Sequence, residues 1–111
     1  MTFSQNFRVN IFKKASLARN FEEEVIKHVK KKNIKIPVYV SAGQEFIAST
    51  ISAICEQKKI KPLIFGQHRC HSTYLAFGGN KTKLIDELLG KTSGCNNGMG
   101  GSASISSKKI N

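Results

Sequence analysis

Apolar positions recur every three or four residues in three stretches of the chain. In the first, Ile11, Ala15, Ala18, Phe21, Val25 and Val29 keep this step without a break, which predicts an amphipathic helix from about residue 10 to residue 32. Lys30, Lys31 and Lys32 at its far end suit the negative pole of the helix dipole. In the second, residues 44–59, the positions Phe46, Ile47, Ala48, Ile51, Ala53, Ile54 and Cys55 leave few polar sites. That helix is expected to be buried on several sides, a demand that implies neighbours beyond so short a chain. The third, residues 81–89, carries Leu84, Ile85, Leu88 and Leu89 on one face, with Asn80 placed to cap its start and Gly90 its end.

Between these helices the period changes. "KIPVYVSAG" (35–43) is broken by Pro37 and closed by Gly43, and Val38, Tyr39 and Val40 favour a strand. "PLIFGQHRCHSTY" begins as a second short strand, Leu63 to Phe65, and opens at Gly66 into a polar cluster. Residues 90–107 hold ten Gly or Ser and no periodicity, which predicts a loop. Nothing repeats, and 111 residues allow one domain at most. No apolar run approaches the length needed to cross a bilayer.

Charge alters this picture less than its size suggests. Eighteen Lys plus Arg against seven Asp plus Glu give a net charge of +11, which points to an anionic partner. Yet fifteen of the eighteen are Lys and three are Arg, whereas base-edge and paired phosphate recognition favour Arg. Twelve Ile and eight Asn accompany the Lys excess, a bias that A/T-rich codons also produce. The three cysteines, Cys55, Cys70 and Cys95, form no C-x-x-C, and an odd number without a secretion signal reads as reduced thiols, with the cytoplasm as the expected compartment. Residues 1–20 contain Arg8, Lys13, Lys14 and Arg19 and no acid, in the manner of a mitochondrial presequence. The apolar step continuing into Glu22, Glu23 and Glu24 favours one continuous helix instead.

The candidate chemistry lies in "GQHRCHSTYLAFGG" (66–79). His68, Cys70 and His71, with Cys95 as a fourth donor, offer a zinc site, but neighbouring side chains of an extended segment point to opposite faces. A Cys–His catalytic pair is a second possibility. In a third, Arg69 grips a phosphate with its planar fork while His68 donates another hydrogen bond. His71 also fits a core histidine bonded to a backbone carbonyl. The glycines of residues 90–101 fit either a flexible tether or a set of backbone N–H groups brought close to an anion. They match neither G-x-G-x-x-G after a strand nor G-x-x-x-x-G-K-[ST].

Four segments, "RNFEEEV", "VSAGQE", "HRCHSTYLAFGG" and "IDELLGKTSGCNNGMGGSAS", occur in an order and spacing that resemble the N-terminal part of the alpha subunit of the thiamine diphosphate-dependent 2-oxo acid dehydrogenases, the family of pyruvate and branched-chain 2-oxo acid dehydrogenases. They span about residues 11–107. The resemblance implies an α/β chain, the N-terminal portion of a three-layer α/β/α thiamine diphosphate-binding fold that is incomplete here. On that basis residues 1–111 are one partial domain: the helix of residues 10–32, the start of the α/β core at 33–89, and the Gly-rich loop and truncated end at 90–111.

The resemblance also implies roles. Arg69 and His68 stand where the family has Arg and Tyr at the diphosphate of the cofactor, so both are cofactor-binding candidates. Tyr39 stands where pyruvate-type members have a His at the substrate carboxylate, which makes it the substrate-binding candidate and leaves the oxo acid open. Ser104 replaces a His found in many relatives, the mark of a divergent branch. Glu45 is read as support for its helix start. No catalytic residue is assigned, because the activating glutamate belongs to the beta subunit. No metal ligand is assigned, because the family's G-D-G and Asn for magnesium lie beyond this sequence. The implied protein is a fragment of the dehydrogenase alpha subunit, inactive alone, pairing with a beta subunit in a heterotetramer that oxidatively decarboxylates a 2-oxo acid and passes the acyl group to an acceptor such as lipoamide. The alternatives are a small basic nucleic-acid-binding module, built on the lysines of residues 27–35, or an inactive relic.

Overall fold

The computed structural model describes residues 3–107 and contains four helices: α1 (Gln5–Lys30), α2 (Glu45–Gln57), α3 (His71–Ala76) and α4 (Lys81–Leu88). Helix α1 starts five residues before its expected beginning. Ser4 Oγ accepts the Phe7 amide at 3.2 Å, so the chain enters the helix through a side-chain cap. Basic and acidic halves of the segment form one continuous helix, with Lys27, His28 and Lys30 in its last turn. Its buried stripe is Phe7, Ala15, Ala18, Phe21, Glu22 and Val25: the middle of the predicted stripe with a carboxylate added, while Ile11 is half-buried, Val29 is exposed and Phe7 extends the stripe at the start.

Among the described residues there is no strand, and this overturns the α/β expectation. A ladder needs a second backbone within hydrogen-bond reach. Here the peptide groups around Val38–Val40 bond to side chains instead. Tyr39 N donates to Ser102 Oγ, Ser41 N donates to Glu22 Oε1, and the Val40 carbonyl accepts from Arg69. The three-layer α/β/α arrangement is therefore absent from this structure, and both expected strands are irregular connections.

Helix α2 is also packed differently from the expectation. It buries Glu45, Ala48, Ser49, Ser52 and Ala53, while Phe46, Ile47 and Ile51 are more than half exposed. Small residues on the inner face let α2 approach α1 and α3 closely. Ser52 Oγ donates to the Ala76 carbonyl at 2.6 Å, and Lys14 Nζ reaches both that carbonyl and Glu56. The outward face continues onto Leu63 and Phe65, the latter 93% exposed.

The core gathers Phe21, Val25, Ile34, Tyr74, Leu75, Leu84 and Leu88, with Ile36, Val38, Val40, Cys95 and Ile105 packed against it. Helix α4 contributes Leu84 and Leu88, whereas Ile85 and Leu89 of the expected apolar face are exposed. Asn80 Oδ1 accepts the Lys83 amide at 3.0 Å, and Gly90 follows the helix with φ +72°. Asn80→Ala is expected to lower the unfolding free energy by about 1 kcal/mol, read as a lower urea midpoint with an unchanged slope.

Candidate functional site

The three residues singled out from sequence lie together. Tyr39 and His68 meet edge to face, ring centroids 5.3 Å apart and planes at 73°. Arg69 Nη1 donates to the carbonyl of Val40 at 2.9 Å, one residue beyond Tyr39. His68 and Arg69 are exposed, and Arg69 holds a left-handed backbone (φ +69°) that side-chain-bearing residues seldom adopt. The turn before α3 presents both side chains outward on the same side as Tyr39. Arg69 is also the one charged residue among those lining a cleft of about 360 Å³ with Gln44, Ile47, Leu63, Phe65 and Phe77. A guanidinium with one N–H committed to Val40 and an imidazole beside it suit the oxygens of a diphosphate.

The other histidine of the cluster does something else. His71 opens α3 fully buried, with Nδ1 2.9 Å from Glu22 Oε2 and Nε2 2.9 Å from Ser102 Oγ. It bonds to side chains and not to the backbone carbonyl expected of a core histidine. Glu22 Oε1 accepts the amide and hydroxyl of Ser41 at 2.7 and 2.6 Å, and Ser41 Oγ in turn accepts the Ser72 amide. Burial pushes the Glu22 carboxyl up, but the hydrogen bonds from His71 and Ser41 outweigh it and hold the group below the ordinary carboxylate value.

These bonds use both His71 nitrogens, so the histidine is not free to ligate zinc. Among the described residues, no three or more His, Cys, Asp or Glu side chains form a group that could hold a metal ion. Burial raises the Cys70 thiol above its ordinary value, which keeps it protonated near neutral pH and disfavours a nucleophilic role. Glu45 behaves as expected. It sits in the first turn of α2, accepts the Gly43 amide, and receives a two-pronged contact from Arg19 at 2.5 and 3.2 Å.

The glycine-rich loop closes around an anion that belongs to the protein. Glu87, buried on α4, accepts the amides of Asn96 and Gly98 through Oε2 and those of Gly100 and Gly101 through Oε1, all at 2.7–3.0 Å. Burial pushes its carboxyl up, but the four backbone donors outweigh that and hold it below the usual 4.5. A Cβ at Gly94 would collide with the Glu87 backbone and carboxylate. Gly98 combines φ +74° with close approach to the Gly90 carbonyl.

Sequence reasoning missed Glu22, Ser41, Ser102 and Glu87. Two of these left a signal: Glu22 lies between Phe21 and Val25 on the buried stripe, and Glu87 lies between Leu84 and Leu88. A carboxylate on an apolar face needs buried donors.

A model of the family described as "Dehydrogenase E1 component" matches residues 13–111. The chain belongs to that family. Over 103 residues it is 31% identical to "Pyruvate dehydrogenase E1 component subunit alpha-1, mitochondrial" of Oryza sativa subsp. japonica, covering 93% of this chain and 26% of that protein. Identity to the Arabidopsis thaliana protein of the same name is 30%, covering 85% and 23% of the two chains, and to the Pisum sativum alpha subunit 29%, covering 92% and 25%. This dehydrogenase E1 chain therefore spans about a quarter of the length of the curated relatives it matches. No solved structure matches it. The three relatives are named mitochondrial, in contrast to the cytoplasmic expectation, and no helix among the described residues is long and apolar enough to cross a membrane.

Proposed function

We propose that this chain supplies part of the cofactor and substrate pocket of a thiamine diphosphate-dependent 2-oxo acid dehydrogenase, as an N-terminal part of its alpha subunit. Residues 1–111 then form a partial domain completed by further polypeptide. The observation that carries the reading is the meeting of Tyr39, His68 and Arg69 in a member of the dehydrogenase E1 family. Arg69 offers its remaining N–H groups to diphosphate oxygens while its bond to Val40 fixes the direction of the fork. His68 donates one ring N–H beside it, and the Tyr39 hydroxyl donates to the carboxylate of the oxo acid. Thiamine diphosphate, when bound, supplies the carbanion chemistry that decarboxylates the acid, and the protein supplies binding and orientation. No described residue is given a role toward magnesium.

The outward apolar face of Phe46, Ile47, Ile51, Leu63 and Phe65 supports a protein neighbour, which the reading assigns to the rest of the dehydrogenase and its beta subunit, in a heterotetramer. Acyl transfer to lipoamide belongs to that assembly. The free thiols Cys55, Cys70 and Cys95 suit any reducing compartment, the cytoplasm among them. Nucleic-acid binding gains no support from the lysines near the end of α1: Lys27 pairs with Glu24 at 2.6 Å, and its neighbours sit at the dipole end that favours cations.

The test is a calorimetric titration of thiamine diphosphate into the chain assembled with a beta subunit. Charge-assisted hydrogen bonds contribute about 1.5–3 kcal/mol each, so Arg69→Ala is expected to weaken binding by roughly ten- to a hundred-fold. Arg69→Lys keeps the charge, loses the fork, and is expected to fall between the two. An Arg69→Ala affinity equal to that of the unaltered chain overturns the assignment.

A further inference from the structure

A run of hydrogen bonds leads from the backbone of Tyr39 to the centre of the molecule. The Tyr39 amide donates to Ser102 Oγ at 2.8 Å, Ser102 Oγ lies 2.9 Å from His71 Nε2, and His71 Nδ1 lies 2.9 Å from Glu22 Oε2. Each member comes from a different part of the fold: the segment before α2, the glycine-rich loop, the start of α3 and the middle of α1.

Donor capacity orders the run for a neutral imidazole. A carboxylate only accepts, so Nδ1 carries a proton toward Glu22. With His71 neutral, Nε2 accepts, and Ser102 donates its hydroxyl proton there while accepting the Tyr39 N–H. In that state every donor points from Tyr39 toward Glu22.

Serine, histidine and acid in this order activate nucleophiles in hydrolases. Here Ser102 is 1% exposed and His71 and Glu22 are 0% exposed, so no acyl group reaches the hydroxyl. The arrangement holds a place and makes no bond.

We infer that Glu22, His71 and Ser102 are positioning residues for the substrate pocket: by fixing the backbone at Tyr39 they set where its phenol and the Arg69-bound carbonyl of Val40 stand. The inference rests on the roles proposed above for Tyr39 and Arg69. Tyr39 has two further restraints, its ring against His68 and the Arg69 bond to the next carbonyl, and both belong to the exposed turn. Ser102 is thus the member that bonds residue 39 itself to the buried interior, beside the core packing of Val38 and Val40 and the Ser41–Glu22 bond.

The experiment is NMR of the 15N-labelled chain, reading the Tyr39 amide and the His71 ring nitrogens in Ser102→Ala, Glu22→Gln and, as a control, Ser41→Ala. The unaltered chain is expected to show a protonated Nδ1 and a bare Nε2. In Ser102→Ala the Tyr39 amide should move upfield and lose about ten-fold or more of its exchange protection. In Glu22→Gln the new side-chain amide can donate to Nδ1, so the tautomer should invert and the Tyr39 amide should shift although residue 22 does not touch it. Ser41→Ala removes the hydroxyl's bonds to Glu22 and to the Ser72 amide but keeps the Ser41 N–H bond to Glu22, and should leave the Tyr39 amide bonded to Ser102 and the His71 tautomer unchanged. In the assembled enzyme, Ser102→Ala should raise KM for the oxo acid more than it lowers kcat.

If Ser102→Ala and Glu22→Gln lower the melting temperature while the Tyr39 amide and the His71 tautomer keep their original signals, the residues are merely structural and the inference is overturned. If those signals respond as expected but a 2-oxo acid titrated onto the assembled enzyme leaves the Tyr39 ring unperturbed, the functional reading fails while the hold on Tyr39 stands.

Discussion

Alanine in place of Glu87 is expected to lower the unfolding free energy by about 3–5 kcal/mol, because four backbone N–H groups lose their acceptor at once. The loop relieves part of that cost by opening to water, so the loss should be smaller than four separate penalties. It remains a large part of the stability of a small domain. Two measurements check it: a urea midpoint well below that of the unaltered chain, and new protease cleavage within residues 91–104. Glu87→Gln keeps one accepting oxygen but turns an NH2 toward two amides that need an acceptor, so about 2–3 kcal/mol is expected. The pH dependence has a definite sign. A carboxyl held below its unfolded value adds stability that is complete above that value and is lost as the pH falls through the folded one. Stability should therefore decline as the pH drops below about 4.5, and Glu87→Gln should flatten that decline.

Glu22→Ala is expected to cost a similar amount, about 3–4 kcal/mol, for a different reason. It leaves the Ser41 amide, the Ser41 hydroxyl and His71 Nδ1 without their acceptor in a site closed to solvent. Thermal unfolding should show a lower midpoint, and the Glu22 contribution should fade on the same acid side as that of Glu87, since its carboxyl is also held down. Combined with Ser102→Ala, the loss should be less than additive, because both substitutions cut the same run of hydrogen bonds. Strict additivity would mean that the two ends are energetically independent.

Helices α1, α2 and α4 were legible because amphipathic spacing and end signals agreed, most clearly from Asn80 to Gly90. Helix α3 was not. Six residues hold too few turns for a period to show, and its start depends on His71 finding Glu22, forty-nine positions away. The expected strands failed for the complementary reason: Val38 to Val40 have strand-forming side chains, but a strand is a relation between two segments, and the groups that bond this one are side chains distant in sequence. The inner face of α2 was misread because hydrophobicity alone assigns Phe46 and Ile51 to the interior, whereas close helix approach selected Ala48, Ser49 and Ser52. Tyr39, His68 and Arg69 were singled out through motif order, and the fold brings them together. The buried acids that organise the surroundings were missed because their partners are backbone amides, which no residue type announces.

Ser102 follows immediately on Gly100 and Gly101, whose amides rest on one oxygen of Glu87. The hydroxyl that receives the Tyr39 amide is thus linked to helix α4 through a single side chain. A tilt of α4, whatever produces it, would act as a lever whose short arm ends at the phenol.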